Sequence, residues 1–209
     1  MKKISILLLI YLYIGCVSVS TKINSITDPD YKGTKLSHLL IFANVNDLGM
    51  KQSIEQKFIK TFTSKYDVKA SAGHEILPPT RQYTETELKT ILAQNRIDSV
   101  LILTITDSGY KTSTYTDYQP YQTQGNVYKT GTNQYQYQTT TSGGPKTYNF
   151  YKPYLSAKTE IIDPVNGKTK WVATSNSRGN AFVDVNDILN DYIDSIAQKL
   201  AEDGLITRK

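Results

Sequence analysis

The sequence has few of the residues that stabilise proteins covalently or bind metals. Cys16 is its single cysteine, so no disulfide can form within the chain and the fold must depend on its packed core. His38 and His74 are its two histidines, and no His, Cys or carboxylate pairing occurs at metal-site spacing. We therefore expect no metal and no cofactor, and we expect both histidines to be ordinary, partly buried residues.

Several functional signatures are also missing. No apolar run reaches the roughly 20 residues that a membrane-spanning helix needs, and no nucleophile elbow or glycine-rich phosphate loop occurs. A Ser-His-Asp site converges only in space, so the sequence leaves that alternative open. The net charge is +5, but lysines and arginines are scattered, which argues against a nucleic-acid partner. We expect no catalytic residues and a protein that is not an enzyme.

The amino terminus, in contrast, carries an export pattern. A basic start at residues 1–3 precedes a short apolar stretch at 4–14, and Gly15 stands directly before Cys16. This order is typical of a secretory signal. The end of the stretch resembles a bacterial lipobox, in which signal peptidase cuts before a lipidated cysteine, although Tyr13 replaces the usual leucine. The alternative is a simple secretory signal followed by an incidental free cysteine.

The lipobox resemblance implies that residues 1–15 are a lipoprotein signal peptide and that Cys16 carries acyl chains, palmitate among them. Two or more acyl chains together anchor a protein stably to a membrane. Val17, rather than Asp, follows Cys16, which implies the outer membrane of a Gram-negative cell, with the protein facing the periplasm. Residues 16–35 are rich in Ser, Thr, Asp and Lys and are predicted to form a flexible, lipidated tether.

Residues 36–206 alternate between strand and helix patterns. Apolar runs predict buried strands at 37–45 and 99–106, and a further strand is predicted within 67–77. Apolar stripes preceded by capping residues predict three helices. Their predicted starts are Asn46 or Asp47, Thr84, and Asp184 or Asn186.

The carboxyl-terminal part predicts a hairpin. A strand at 154–163 is followed by Asn166-Gly167, the strongest short signal for a type I′ turn, and by a returning strand at 169–174. The complete order predicts one α/β (α+β) domain, in which a mixed sheet of about five strands carries three helices.

A long Tyr-rich insertion, residues 110–153, interrupts this domain. It contains no leucine or isoleucine and therefore cannot build a core of its own. Three hypotheses compete: a mobile loop, a β-ribbon, because residues 134–138 alternate Gln and Tyr, and a membrane-inserting hairpin, whose apolar lipid face is missing. Tyrosine supplies contact area at low entropy cost. The candidate partner-binding residues are Tyr115, Tyr118, Tyr121, Tyr128, Tyr135 and Tyr137.

Several segments of the domain resemble a widespread group of uncharacterised bacterial envelope lipoproteins. They are residues 40–45, the helix with Glu55, residues 97–102 and residues 161–171. The pattern of an apolar strand, an Asp, a Gly-Lys turn and Trp171 is also similar to lipoprotein activators of penicillin-binding proteins. It is similar as well to the amino-terminal domain of the Tol-system propeller protein and to the curli secretion lipoprotein. The resemblance implies an α/β fold and binding to other envelope proteins.

The sequence therefore predicts a lipid-anchored envelope protein that acts without catalysis, as an accessory or assembly factor. Its expected partners are the membrane, through the lipid on Cys16, and an envelope protein. The main alternative is glycan or peptidoglycan binding through the Tyr-rich insertion. A ring-forming secretion subunit and a hydrolase are further alternatives.

Overall fold

The computed structural model describes residues 18–131 and 134–209, and the side chains of residues 126–139 lie outside this description. The chain divides into two compact units. We call Met1–Tyr110 with Lys152–Lys209 the body, and Lys111–Tyr151 the ribbon. Cys16 and the predicted signal peptide lie outside the described residues, so cleavage and lipidation stay predictions.

Six strands form one mixed sheet in the order β1-β6-β5-β4-β2-β3. β2 pairs in parallel with β3 and β4, whereas β6 pairs antiparallel with β1 and β5. The α/β class and the mixed sheet are confirmed, with six strands instead of about five. The strands are β1 (Val19–Thr27), β2 (His38–Asn44), β3 (Lys69–Ala72), β4 (Ser99–Gly131), β5 (Gln134–Ile162) and β6 (Thr169–Gly179).

Within the described residues four α-helices accompany the sheet: α1 (Leu48–Lys65), α2 (Gly73–Ile76), α3 (Glu85–Gln94) and α4 (Val185–Glu202). The three long helices start where the sequence predicts. Asp47 caps α1 by accepting from the Met50 amide at 2.6 Å, and capping boxes open α3 at Thr84 and α4 at Asp184. No helix among the described residues is long and apolar enough to cross a membrane.

The amino-terminal strand corrects the tether prediction. Residues 16–35 were expected to be flexible, but Val19–Thr27 form an edge strand that pairs with β6 along its whole length. Its inward side chains include hydroxyls that bind carboxylates on α4 and at its carboxyl-terminal cap: Thr21 donates to Asp191 at 2.6 Å, and Ser25 donates to Asp203 at 2.5 Å. The tether prediction is wrong because Val19 and Ile23 pack against the core and the polar Thr21 and Ser25 form hydrogen bonds with distant carboxylates, which composition alone does not reveal.

The main core lies between one face of the sheet and the helices α1 and α4. Phe58, Phe62 and Tyr192 pack there as aromatic neighbours, with centroid distances of 5.8 Å and 6.3 Å along the series Phe62–Phe58–Tyr192. Trp171 is fully buried and donates its indole N–H to Asp203 at 2.7 Å. Full burial of the Tyr192 side chain raises the pKa of its hydroxyl group.

The connection from β5 to β6 confirms the hairpin but not its turn. Asp163 donates its N–H to Lys168 and accepts from the Gly167 N–H, which closes a longer loop than a two-residue type I′ turn. Gly167 has φ +72°, whereas Asn166 does not have positive φ. The type I′ prediction is wrong because the Asp163 and Asn166 side chains each cap a backbone N–H inside the loop and stabilise the wider turn.

Candidate functional site

The histidines do not share a site. His38 contacts Ser71 on the neighbouring strand, with 2.9 Å between Nε2 and Oγ. Among the described residues no carboxylate pairs with His38 within 4 Å, so this Ser-His contact has no group that would orient the base of a catalytic triad. In the described ranges no group of three or more His, Cys, Asp or Glu side chains is placed to hold a metal ion.

His74 was expected in a strand and lies in the short helix α2 instead. Its ring Nδ1 and its backbone N–H lie 2.5 Å and 3.0 Å from Glu55 Oε2, and Glu55 Oε1 accepts from the Ala43 N–H at 3.1 Å. Glu55 is fully buried. Helix formation at this point follows from these contacts, since the carboxylate binds the first turn of α2 to α1 and β2.

The Tyr-rich insertion forms a ribbon of two strands. β4 continues to Gly131 and β5 starts at Gln134, so the β-ribbon hypothesis is confirmed and the mobile-loop hypothesis is wrong. Side-chain contacts give its register: Thr114 bonds Asn149 at 3.2 Å, and Thr123 lies 3.2 Å from Thr141. The residue numbers of the partners on β5 decrease as those on β4 increase, so the two strands of the ribbon are antiparallel.

The register places aromatic side chains together on one face. Thr114 faces Asn149 and Thr116 faces Thr147, so Tyr115 and Tyr148 lie opposite each other on the other face of the ribbon. Phe150 is on the same face as Tyr148, because alternate residues of a strand share a face. All three side chains are exposed, Tyr115 by 58% and Tyr148 by 47%. The ribbon therefore presents aromatic surface to its surroundings.

The candidate tyrosines differ in how far the structure describes them. Tyr115, Tyr118 and Tyr121 are exposed by 58%, 78% and 70%. Tyr128 lies on β4, and Tyr135 and Tyr137 lie on β5, but their side chains are outside the described part.

Sequence reasoning left three exposed aromatic residues of the ribbon out of the candidate set. They are Tyr148, Phe150 and Tyr151. The signal that finds them is the cross-strand register, which places two of them opposite or beside Tyr115.

A close backbone approach fixes the middle of the ribbon. Gly143 has φ +117°, and a Cβ added there would lie 2.4 Å from the Pro120 carbonyl oxygen. Tyr121 covers the adjacent Gly144, where a Cβ would lie 3.2 Å from the Tyr121 hydroxyl oxygen. Pro120 has no N–H to donate to the ladder. Glycine at 143 is therefore required for the two strands to approach at this point.

Comparisons with solved structures find low-identity likenesses. A PelC dodecamer from Paraburkholderia phytofirmans is 13% identical over 85% of this chain and 95% of that chain, with a TM-score of 0.48. Lipoprotein GNA1162 from Neisseria meningitidis is 12% identical over 79% of this chain and 99% of that chain, with a TM-score of 0.41. No protein-family model and no curated protein matches the chain. The function proposed below therefore rests on the chain's own residues.

Proposed function

We propose that this chain is a lipid-anchored protein of the outer membrane, facing the periplasm, that acts without catalysis by binding another envelope protein through the ribbon Lys111–Tyr151. The carrying observation is the ribbon's exposed aromatic surface on two strands whose sequence contains neither leucine nor isoleucine. The export pattern that ends in Cys16 supports the location.

The low intrinsic stability expected of a two-stranded ribbon supports a protein partner. A two-stranded hairpin by itself is marginally stable in water, and further strands or a packed surface are needed to stabilise it. The ribbon sequence contains neither leucine nor isoleucine, so its own side chains supply little hydrophobic stabilisation. Contact with a protein surface would cover Tyr115, Tyr148 and Phe150 and would supply the missing stabilisation.

The open backbone of the ribbon supports the same choice. A strand at an edge presents N–H and C=O groups that can pair with a strand of another protein, and side chains on the two faces then select the partner. Thr114, Thr116 and Thr123 already bond across the ribbon, and Tyr115, Tyr148 and Phe150 lie together on the face opposite Thr114.

Site-specific photo-crosslinking in living cells tests this proposal. A photoreactive phenylalanine analogue replaces Tyr115 or Tyr118 on the ribbon, and in a control it replaces the exposed Lys60 of α1. We expect the ribbon positions to crosslink to one specific envelope protein and the Lys60 position to give no such product. Crosslinking to glycan strands in place of protein would favour the glycan-binding alternative, and the absence of any specific product at both ribbon positions would contradict the proposal.

Replacing the ribbon tests the role of the whole unit. A short Gly-Ser linker in place of residues 111–151 should leave the melting of the body cooperative, because α1, α4 and the strand residues that face them lie outside the ribbon. The same replacement should abolish capture of the crosslinked partner from envelope extract. Loss of the cooperative melt, or undiminished capture, would show that the ribbon does not carry the function.

The anchor is tested separately. Cys16→Ser should leave the chain without lipid and uncut before residue 16, measured by mass spectrometry and by fractionation of membranes. Processing at the same bond with continued lipid attachment would contradict the proposed anchor. This outcome is independent of partner binding, because the ribbon is remote in sequence from Cys16.

A further inference from the structure

The body contains an apolar cavity on the sheet face opposite α1 and α4. Its volume is about 610 Å³, which is within the range of pockets that bind small molecules. Strands β2 and β4 form its floor and α3 forms a wall. The apolar side chains concerned are Leu40, Phe42, Val100, Ile102, Leu88 and Leu92.

One buried cation lines this cavity. Lys51 of α1 is 8% exposed, and its Nζ lies 3.7 Å from the centroid of the Phe42 ring. Among the described residues no carboxylate lies within 4 Å of this ammonium and no hydrogen bond from it is formed. The long stem of Lys51 packs on apolar surface, as is common for lysine, and its charged head is at the cavity.

The low exposure of Lys51 reduces the hydration of its ammonium, and attraction to the Phe42 ring offsets only part of that loss. An anion bound in the cavity next to Lys51 would supply the missing partner.

The other charges at the cavity favour an anion as well. Glu85 is paired with Lys89 at 2.8 Å, and Asp163 is paired with Lys170 at 3.5 Å. Arg81 is exposed at the cavity and has no ion pair in the part of the chain that the structure describes. The acidic groups are therefore compensated, and the charges without partners, on Lys51 and Arg81, are positive.

The backbone of the floor disfavours a peptide as the occupant. Residues 39–44 of β2 pair with 99–104 of β4, and residues 38–41 pair with β3 on the other side. Beyond them the Ala43 N–H donates to Glu55. The floor therefore offers a peptide little free backbone, and the peptide would leave its own N–H and C=O groups without partners. An aliphatic chain has no such groups and suits a floor of Leu, Val and Ile side chains.

From these contacts we propose that the cavity binds a long-chain fatty acid as its anion, with the carboxylate at Lys51 and the aliphatic chain over β2 and β4. Binding would be reversible and would involve no covalent step. This site is separate from the ribbon and does not depend on the proposed partner.

Calorimetric titration of the purified protein with dodecanoate, below its micelle concentration, tests the inference. Lys51→Met keeps most of the stem and removes the charge, and Lys60→Met is the matched control on the exposed side of the same helix. We expect Lys51→Met to weaken dodecanoate binding about tenfold or more, since a hydrogen bond to a charged group is lost. Lys60→Met should bind as the wild type does, and the neutral dodecanol should bind Lys51→Met and wild type equally.

A second variant tests the cavity independently of the charge. Leu88→Trp, at a half-buried position on α3, should fill the cavity and weaken both dodecanoate and dodecanol, while an unchanged melting temperature shows that the body is folded. Equal dodecanoate affinity of Lys51→Met and wild type would overturn the inference. Binding of a lysophospholipid without binding of dodecanoate would also overturn it, because the ligand would then be a membrane lipid.

Discussion

Glu55→Gln should destabilise the body strongly although it changes a single atom. One oxygen of the buried carboxylate accepts from Ala43 N–H, and the other accepts from the backbone N–H and ring Nδ1 of His74. Glutamine keeps one acceptor oxygen and replaces the other with an NH₂ group. The new NH₂ group would then face either the Ala43 N–H or the two His74 donors, because a glutamine amide accepts through its oxygen only.

The size of the effect follows from the number of donors left without an acceptor. One or two buried N–H groups lose their partner, and each costs about 1–3 kcal/mol. We therefore expect a loss of about 2–4 kcal/mol in the free energy of unfolding. For a domain of this size about 1 kcal/mol lowers the melting temperature by about 2–4 °C, so the expected decrease is about 5–15 °C.

Thermal melting followed by circular dichroism measures this decrease. Gln56→Ala is the control, since Gln56 is the exposed neighbour on α1 and its change should cost less than about 0.5 kcal/mol. A double-mutant cycle with His74→Ala isolates the ring contact, and the two changes should not be additive. A melting temperature of Glu55→Gln within about 2 °C of the wild type would refute the reasoning.

Three further substitutions address the ribbon, the hairpin and the edge strand. Gly143→Val should disrupt the ribbon and leave the body stable, because the new side chain would clash with the Pro120 carbonyl oxygen. Limited proteolysis should then cut within residues 111–151, and an uncut ribbon would contradict this prediction. Gly167→Val should lower stability by about 1–2 kcal/mol through its φ of +72° alone, as no atom lies within 4 Å of an added Cβ; an unchanged melting temperature would argue against positive φ. Asp203→Asn should remove stability that is present at pH 7 and is lost in acid. Burial raises the pKa of the Asp203 carboxyl, but hydrogen bonds from Ser25, Trp171 and Lys199 outweigh it and hold the pKa below its usual value. The wild type should thus exceed the variant above about pH 4 and lose this advantage as the pH falls further, as denaturant titration at pH 7 and pH 3 would show; equal differences at both pH values would contradict this.

Features fixed by neighbouring residues could be predicted from the sequence. Asp47, Thr84 and Asp184 each satisfy backbone donors within three residues, so the starts of α1, α3 and α4 follow from short motifs. The buried strands β2 and the first part of β4 follow from apolar runs for the same reason.

Features fixed by distant residues could not be predicted. The strand β1 depends on bonds such as Thr21 to Asp191, which join residues 170 positions apart. The helix α2 depends on glycine at its first residue, Gly73, because a Cβ there would lie 2.7 Å from the carbonyl oxygen of Ile41 in β2. The aromatic face of the ribbon depends on a register between strands that local alternation does not give.

The cavity beside Lys51 shows the same limit. On the sequence, Lys51 is one of many scattered lysines and lies next to the apolar stripe of α1. Its burial against Phe42 requires that the start of α1 reaches the end of β2, which only the packed structure establishes.

The edge position of β1 has a mechanical consequence if Cys16 carries the proposed lipid. Three residue-to-residue steps lead from Cys16 to Val19, and they span at most about 11 Å. Any pull on the anchor would therefore load β1 directly. Because Val19 pairs with Gly179 at the start of the ladder, the load would peel hydrogen bonds from β6 one pair after another. Thr21, held by Asp191 on α4, and Ser25, held by Asp203 at the end of that helix, would resist the peeling together with Val19 and Ile23, which pack against the core.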